Sequence, residues 1–305
     1  MSTTVTVLTA TYNRKELLRR LYDSLLKQTD MNFEWVVIDD ASTDGTEHMM
    51  DEIKKQSEFV IKYRIVPHGG KHRAINAGVK ISEGEYIFMV DSDDWLPEKS
   101  IEIVNKWIAD IQGQEYLAGV SGIMVDSNNK TIGDSPNLIS EKYIECSNLE
   151  RYKMNLMGDK AEIYKKAILE KYPFPCFEGE NFVTERIVWD KIAHDGYKIR
   201  WYNEPIYICE YQENGLSNNG ANNIEGHRKN YKGYVEFIKQ SVRIMEPMEA
   251  VTYFREYNDT AKIIGKSIRD RALEIDFGII HYLAYLYVVM PVNYFRRIFC
   301  GLSRI

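Results

Sequence analysis

Residues 86–94 read Tyr-Ile-Phe-Met-Val-Asp-Ser-Asp-Asp: an apolar run fit for a buried strand passes directly into three carboxylates within four residues. Carboxylates at that density repel one another and raise one another's pKa unless a metal ion or basic group compensates them. Open α/β sheets bind ligands at the carboxyl ends of their strands, which is where Asp91 and Asp93 fall. A divalent ion holding a diphosphate is therefore the first expectation. The competing reading is local: Ser92, Asp93 or Asp94 caps a helix entered at Pro97.

The same rhythm repeats on the N-terminal side of this strand. Residues 4–9 alternate β-branched side chains as a short strand, and Asn13 followed by Glu16 makes a capping-box-like start to a helix reaching about Gln28. Leu17, Leu18, Leu21 and Leu25 form its apolar stripe. A second strand over 33–39, a polar turn at 40–45 and a helix over 46–56 follow, then a strand over 62–66, a loop at 67–71 and a helix over 72–81. Strands alternating with helices predict an α/β fold with right-handed crossovers and a mostly parallel central sheet flanked by helices. Beyond Pro97 the pattern predicts a helix to about Ile111, a strand over 117–125, a loop or hairpin tip at 126–137 and helical spacing over 159–172. An acidic loop and helix at 179–193 and extended structure at 200–210 come next, and from Ile224 strand signals give way to a helical C-terminal extension. No internal repeat or low-complexity tract is present.

A chain of 305 residues suits one large domain with an appendage or two ordinary domains. Its net charge of -6 argues against a nucleic-acid partner, which leaves a basic footprint. The 21 tyrosines fit ring-lined polar clefts such as sugar sites, and equally ordinary core packing. Cys146, Cys176, Cys209 and Cys300 form no Cys-x-x-Cys pair, so neither a zinc knuckle nor a redox motif is indicated and a reducing cytoplasm is the expected compartment. No basic start followed by a long apolar run opens the chain, so no secretory signal is expected.

Residues 277–295 form the most hydrophobic segment, followed at once by Arg296 and Arg297. A membrane span needs ~20 apolar residues, but His281, Pro291 and Asn293 count against one here. Two readings stay open: a helix lying at headgroup level, making peripheral membrane contact through 277–297, or a helix packed on its own domain or a partner chain.

With the elements placed, the first half resembles an inverting family 2 glycosyltransferase with the GT-A fold, of the type that builds bacterial capsule, lipopolysaccharide and other cell-envelope polysaccharides. The resemblance runs in order through Thr11-Tyr12-Asn13, residues 37–46 (Val-Ile-Asp-Asp-Ala-Ser-Thr-Asp-Gly-Thr), residues 69–78 (Gly-Gly-Lys-His-Arg-Ala-Ile-Asn-Ala-Gly), Gly84-Glu85-Tyr86 and Asp91-Ser92-Asp93-Asp94. It implies a catalytic domain over 1–215, with a nucleotide-binding half at 1–100 and an acceptor half at 101–215, and a helical region over 216–305.

The resemblance implies a role for each matching position. Asp40 would accept the imide hydrogen of a uracil ring on which Tyr12 stacks, with Thr11, Asp39, Asn76 and Ser92 also at the nucleotide. Asp91 would meet the ribose and, with Asp93, ligate Mn²⁺ or Mg²⁺, which suit oxygen-only ligands; Asp94 would cap or support. Lys71 and Arg73 stand where positive charge meets a diphosphate, although Ile75 occupies a place that is often basic in the family. An inverting transfer needs a base for the acceptor hydroxyl. Glu185 is the choice, counted back from Gly196-Tyr197, with Glu180 and Asp190 in reserve and Thr184 departing from the family's acidic pair. Residues 211–217 resemble a closing lid, and His227 could reach the diphosphate or metal.

The expected function is transfer of a sugar from a nucleotide-diphosphate donor, a UDP-sugar in the first place, to a hydroxyl of a glycan or lipid-linked acceptor at the inner face of the cell membrane. Two alternatives remain: a nucleotidyltransferase, disfavoured because Ala10-Thr11-Tyr12-Asn13 replaces a Gly-rich basic loop, and a non-catalytic nucleotide-sugar or glycan-binding module.

Overall fold

The computed structural model describes residues 4–135, 142–210 and 224–291. It divides into two compact units, Met1–Phe174 with Ile192–Glu213, and Pro175–Lys191 with Asn214–Ile305. Residues 175–191, expected in the acceptor half of the catalytic domain, thus group with the C-terminal helices.

In the first unit, β1 (Val5–Thr11), β2 (Phe33–Asp39), β3 (Val60–Ile65) and β4 (Tyr86–Met89) are joined by α1 (Lys15–Leu25), α2 (Thr46–Gln56) and α3 (Lys71–Ile81). After β4 come α4 (Ser100–Asp110), β5 (Leu117–Val125), β6 (Tyr143–Cys146), a 3-10 helix (Asn148–Met154), β7 (Lys160–Lys165) and α5 (Lys166–Lys171). The sheet is completed by β8 (Lys198–Ile208) and runs in the order β3-β2-β1-β4-β7-β5-β8-β6. The four N-terminal strands pair in parallel, as do β5 and β8, while β7 and β6 enter antiparallel. Every residue of β2 is buried, as expected of a parallel strand covered on both faces. Leu18, Leu21 and Leu25 of α1 pack with Trp35, Phe88 and Val104 in one core. Gly78 lets α3 lie directly on β1: a Cβ there would sit 2.2 Å from Leu8 Cδ1.

Two expectations change. The helical spacing at 159–172 resolves into β7 followed by α5, because a strand is needed to bridge β4 and β5, and Ile163 pairs with both Phe88 and Val120. Gly119 admits that strand, since a Cβ there would lie 1.9 Å from the Ile163 carbonyl oxygen. Tertiary pairing overrides local periodicity here. The capping box expected at Asn13 is also absent. Arg14 is the N-cap of α1, and the Asn13 side chain accepts from Thr43 N at 2.7 Å.

At the opposite edge of the strands, Glu34 is 1 % exposed and accepts from Thr6 Oγ1 (2.7 Å), Lys62 Nζ (2.8 Å) and Gly84 N (3.1 Å). This explains Gly84 structurally, for a Cβ on it would meet Thr6 N at 2.6 Å. Burial would raise the Glu34 pKa, but the bonds from Lys62, Thr6, Glu83 and Gly84 outweigh it and hold the pKa below the ordinary 4.5.

The second unit contains the start of α6 (Arg186–His194), then α7 (Ile224–Lys229), α8 (Tyr231–Ile244), α9 (Pro247–Ile263), α10 (Ile268–Glu274) and α11 (Ile279–Ala284), which continues as a π-helical turn over Tyr285–Val289. Phe254, Tyr257 and Tyr282 are fully buried, and the Tyr282 hydroxyl donates to Asn258 Oδ1 at 2.9 Å. Among the described residues no single helix is long and apolar enough to cross a membrane; α10 and the 279–289 run reach the required length only as a pair bent by 101°. The apolar segment packs on its own unit through Tyr282 yet leaves Ile280 79 % and Tyr287 67 % exposed. Residues 292–297 of that segment lie outside the described residues.

Replacing Glu34 with Ala should lower stability by about 2–4 kcal/mol, the cost of breaking a buried ion pair and stranding its donors. Because the folded pKa is depressed, the Glu34 contribution is fully present above pH 4.5 and is lost as pH falls through the folded value. Urea denaturation of wild type and E34A at several pH values should show the two stabilities converging in acid.

Candidate active site

The carboxyl ends of β2, β1 and β4 lie side by side, and the motif residues hang from them. Two loops clasp first: Asn13 N donates to Ser42 Oγ (2.8 Å), Thr43 N to Asn13 Oδ1 (2.7 Å) and Lys15 N to Asp44 Oδ2 (2.9 Å). Asp44 therefore does more than shape its own turn, because it caps the first turn of α1. Asn13 and Ala41 hold positive φ values of 51° and 67° to make this join, a conformation uncommon outside glycine.

Asp39 is sealed, accepting from Ser42 N (2.7 Å) and Tyr63 Oη (2.6 Å). Asp40 accepts from Gly69 N (2.7 Å) and Gly70 N (2.9 Å), with His68 Nδ1 3.0 Å from Oδ2. These bonds pin the 67–70 loop over the end of β2. Asp40 is only 4 % exposed, yet a carboxylate has about four acceptor directions, so acceptor capacity remains. Tyr12 is 46 % exposed, its ring 4.5 Å from that of His68, and presents an aromatic face beside the loop. Thr11 is buried, its hydroxyl without a hydrogen-bond partner.

Asn76, expected at the nucleotide, has its side-chain amide engaged by the backbone. Its Nδ2 donates to the Phe174 carbonyl (2.8 Å) and its Oδ1 accepts from Phe174 N (2.9 Å), so the amide serves as a backbone clip. Ser92 is likewise turned inward, at 2 % exposure. The Arg73 side chain runs beneath Gly69, where a Cβ would lie 2.5 Å from Arg73 Cδ.

Asp91, Asp93 and Asp94 bring carboxylate oxygens within 4.8 Å of one another. Lys71 Nζ lies 2.6 Å from Asp91 Oδ1 and Arg14 Nη1 2.6 Å from Asp93 Oδ1. Burial raises the Asp93 pKa, the neighbouring Asp91 charge adds to it, and Arg14 and Lys71 oppose both. Asp94 is pushed up to about 7 by burial and by Asp91, against bonds from Glu210 N (3.0 Å) and the Tyr207 hydroxyl (2.7 Å). The same hydroxyl accepts from Asp91 N at 3.0 Å. One buried phenol thus ties both ends of the acidic turn. Arg20 completes the frame, stacking 4.1 Å over Trp95 and donating to the Asp93 carbonyl and the Glu210 carboxylate. All-oxygen donors in a cluster of three carboxylates whose repulsion two cations only partly offset fit a hard divalent ion. Asp91 and Asp93 would hold it, since the oxygens of Asp94 already receive two bonds.

Arg14, His68, Tyr207 and Glu210 were not anticipated. Only Arg14 carries a signal in the sequence, a cation directly after the Tyr12-Asn13 motif. Tyr207 sits far along the chain and is placed by the pairing of β8.

In the second unit the candidate bases separate by their partners. Glu180 accepts from Lys232 N (2.7 Å) and Gly233 N (2.9 Å), capping the first turn of α8. Asp190 is 1 % exposed and 3.2 Å from Arg186 Nε. Both reserves thus already have partners within the protein. Glu185 is half-buried in the turn just before α6, its carbonyl accepting from Val188 N and Trp189 N. The expected lid at 211–217 lies outside the described residues. His227 belongs to α7 and stacks on Tyr234 with ring centroids 3.8 Å apart.

Comparison with known proteins now decides the family: the Glycosyl transferase family 2 model matches residues 6–172, more than half of the chain. The chain belongs to glycosyl transferase family 2. Glycosyltransferase GlyA of Streptococcus pneumoniae is 25 % identical over 70 % of this chain and 31 % of its own length. Abequosyltransferase RfbV of Salmonella typhimurium is 38 % identical over 35 % of this chain and 33 % of its own length. The family 2 chain thus spans about a third of these relatives. Among solved structures, Staphylococcus aureus TarS residues 1–349 in complex with UDP-GlcNAc superimposes with a TM-score of 0.63 at 19 % identity, over 85 % of this chain and 72 % of that one. The mannosyltransferase PcManGT from Pyrobaculum calidifontis, in complex with GDP-Man and Mn²⁺, gives 0.50 at 19 % identity over 96 % and 73 %. The fold is GT-A.

Removing the Tyr207 hydroxyl should expose how far the acidic turn depends on it. Y207F strands the Asp91 amide and one Asp94 oxygen, so thermal melting should report a loss of about 1–3 kcal/mol with the fold retained by circular dichroism.

Proposed function

We propose that this chain moves one sugar from a nucleotide-diphosphate donor, a UDP-sugar, to a hydroxyl of a glycan or lipid-linked acceptor, inverting the anomeric carbon, in synthesis of a cell-surface polysaccharide. The observation that carries this reading is the acidic turn flanked by Lys71 and Arg14, at the strand ends where α/β sheets bind ligands. The exposed Tyr12 ring offers a stacking face for a nucleobase, with His68 beside it and the remaining acceptor capacity of Asp40 for an imide hydrogen. Lys71 brings positive charge to a diphosphate.

A divalent ion on Asp91 and Asp93 would supply Lewis-acid neutralisation of the leaving diphosphate. The nucleotide complexes of the TarS and PcManGT structures, the latter with Mn²⁺, support a metal-assisted donor site by analogy. Glu185 is assigned as the base that takes the acceptor proton. Its assignment rests on motif order and on Glu180 and Asp190 being committed to other partners.

A thermal-shift screen of nucleotide sugars with and without Mn²⁺ tests the donor site, since a ligand at 100 times its Kd stabilises by about 2.7 kcal/mol. A UDP-sugar shift that depends on Mn²⁺ and disappears in D91A and D93A is expected. E185Q should keep that shift while transfer falls by about 10²–10⁴. A wild type indifferent to every nucleotide sugar would remove the reading, and full transfer by E185Q would remove the base assignment. Donor binding without any turnover in wild type would instead favour a binding module.

We further propose that the chain works at the inner face of the cell membrane, held peripherally through the exposed apolar edge of 279–289. Ile280, Tyr287 and Val288 stand out from it while Tyr282 anchors it. Flotation with anionic vesicles should be lost in the triple variant I280E/Y287E/V288E with melting unchanged; equal flotation of both proteins would refute the attachment.

A further inference from the structure

The second unit holds a cavity of about 330 Å³ that the reading above leaves unused. Phe182, Phe237 and Tyr253 contribute rings to its wall, and Thr184, His227 and Glu256 contribute polar groups. Its size falls at the lower end of the ~300–1,000 Å³ range of small-molecule sites.

The committed groups come off the account first. Arg186 lines the cavity, but its guanidinium is matched by Asp190 (3.2 Å) and Glu249 (2.8 Å) and donates to the Tyr253 hydroxyl (2.5 Å). Asn230 accepts from Asn181 N and Phe182 N through Oδ1 and donates to the Gly226 carbonyl through Nδ2, so its oxygen is committed and one amide hydrogen is left over. Four groups without a partner remain, one of them the buried Tyr234 hydroxyl. Among the described residues neither the carboxylate of Glu256, an exposed residue, nor the Thr184 hydroxyl has a hydrogen-bond or ion-pair partner, and the buried His227 Nδ1 has none either. Burial pushes the His227 pKa down to about 4, so the ring is neutral at pH 7.

The chemistry of the wall selects among ligands. An anion would meet Glu256 with no uncommitted cation among the described wall residues to balance it. A wholly apolar ligand would take water from a carboxylate and return no hydrogen bond. A neutral polyol ring matches both halves of the wall. Its hydroxyls donate to an acceptor-only carboxylate and to a neutral imidazole, and its apolar C–H faces cover aromatic rings. The geometry points to a binding site for one neutral pyranose, formed by residues of the second unit alone and independent of the donor site.

The test uses the full chain and saturation-transfer NMR with methyl glycosides of glucose, galactose and N-acetylglucosamine, alongside methyl glucuronide and uridine. Neutral glycosides should bind, with about tenfold weaker affinity in each of E256A and F182A at unchanged melting temperature. Binding should persist in D93A. No neutral glycoside binding by wild type, equal binding by wild type and both wall variants, or preference for the glucuronide or uridine would each overturn the site. Loss of the UDP shift in the donor experiment with glycoside binding intact would refute the transferase reading and leave this one standing. Should E256A melt early, E256Q serves in its place, because it keeps side-chain volume while replacing an acceptor-only group with an amide.

Discussion

The first unit is organised around one electrostatic constraint, the mutual repulsion of Asp91, Asp93 and Asp94. No apolar packing relieves that repulsion; only donors do. Arg14 comes from the start of α1, Lys71 from the start of α3, Tyr207 from β8 and the Glu210 amide from just beyond it. Elements that are distant along the chain are thus fixed by one small group of oxygens. The turn after β4 can hold its acids this close together only because the rest of the sheet delivers these donors to it.

The order of the strands makes that delivery feasible. With β1 central between β2 and β4, the loops after all three strands open on the same edge. Asn13, Ser42, Thr43 and Asp44 knit two of them together, and Asp40 draws in the 67–70 loop. The positive φ values at Asn13 and Ala41 belong to this clasp. Local strain at a site is maintained where surrounding bonds over-determine it, and here four hydrogen bonds converge on two short loops.

The sequence made the alternating half of this architecture readable, because a parallel strand buried on both faces leaves a continuous apolar run such as 35–38, and its helix leaves a 3.6-residue stripe. The strand positions and the acidic turn followed from that. What stayed hidden depended on non-local partners. The β7 strand has helical spacing and becomes extended only because β4 and β5 bracket it. Asn76 sits inside a recognisable motif, yet its amide is claimed by the backbone of Phe174, a contact across 98 positions. Tyr207 lies in a strand with no motif around it. Its importance arises from the register of β8 against β5 and from the bridge between Ile208 and Trp95.

The chemistry available to each carboxylate is decided by what already donates to it, more than by its identity or its place in a motif. Glu34, Asp39 and Glu180 accept from several protein donors, and Asp190 lies buried against Arg186; these acids maintain strand edges, loops and helix ends. Asp91 and Asp93 are instead paired with the partly exposed heads of Lys71 and Arg14, and such a side chain loses little by moving to another partner. An acid that accepts from backbone amides cannot be released so cheaply, since each amide would be left buried and unpaired. Reading the donors around each acid therefore separates the groups that build the scaffold from those able to act on a ligand.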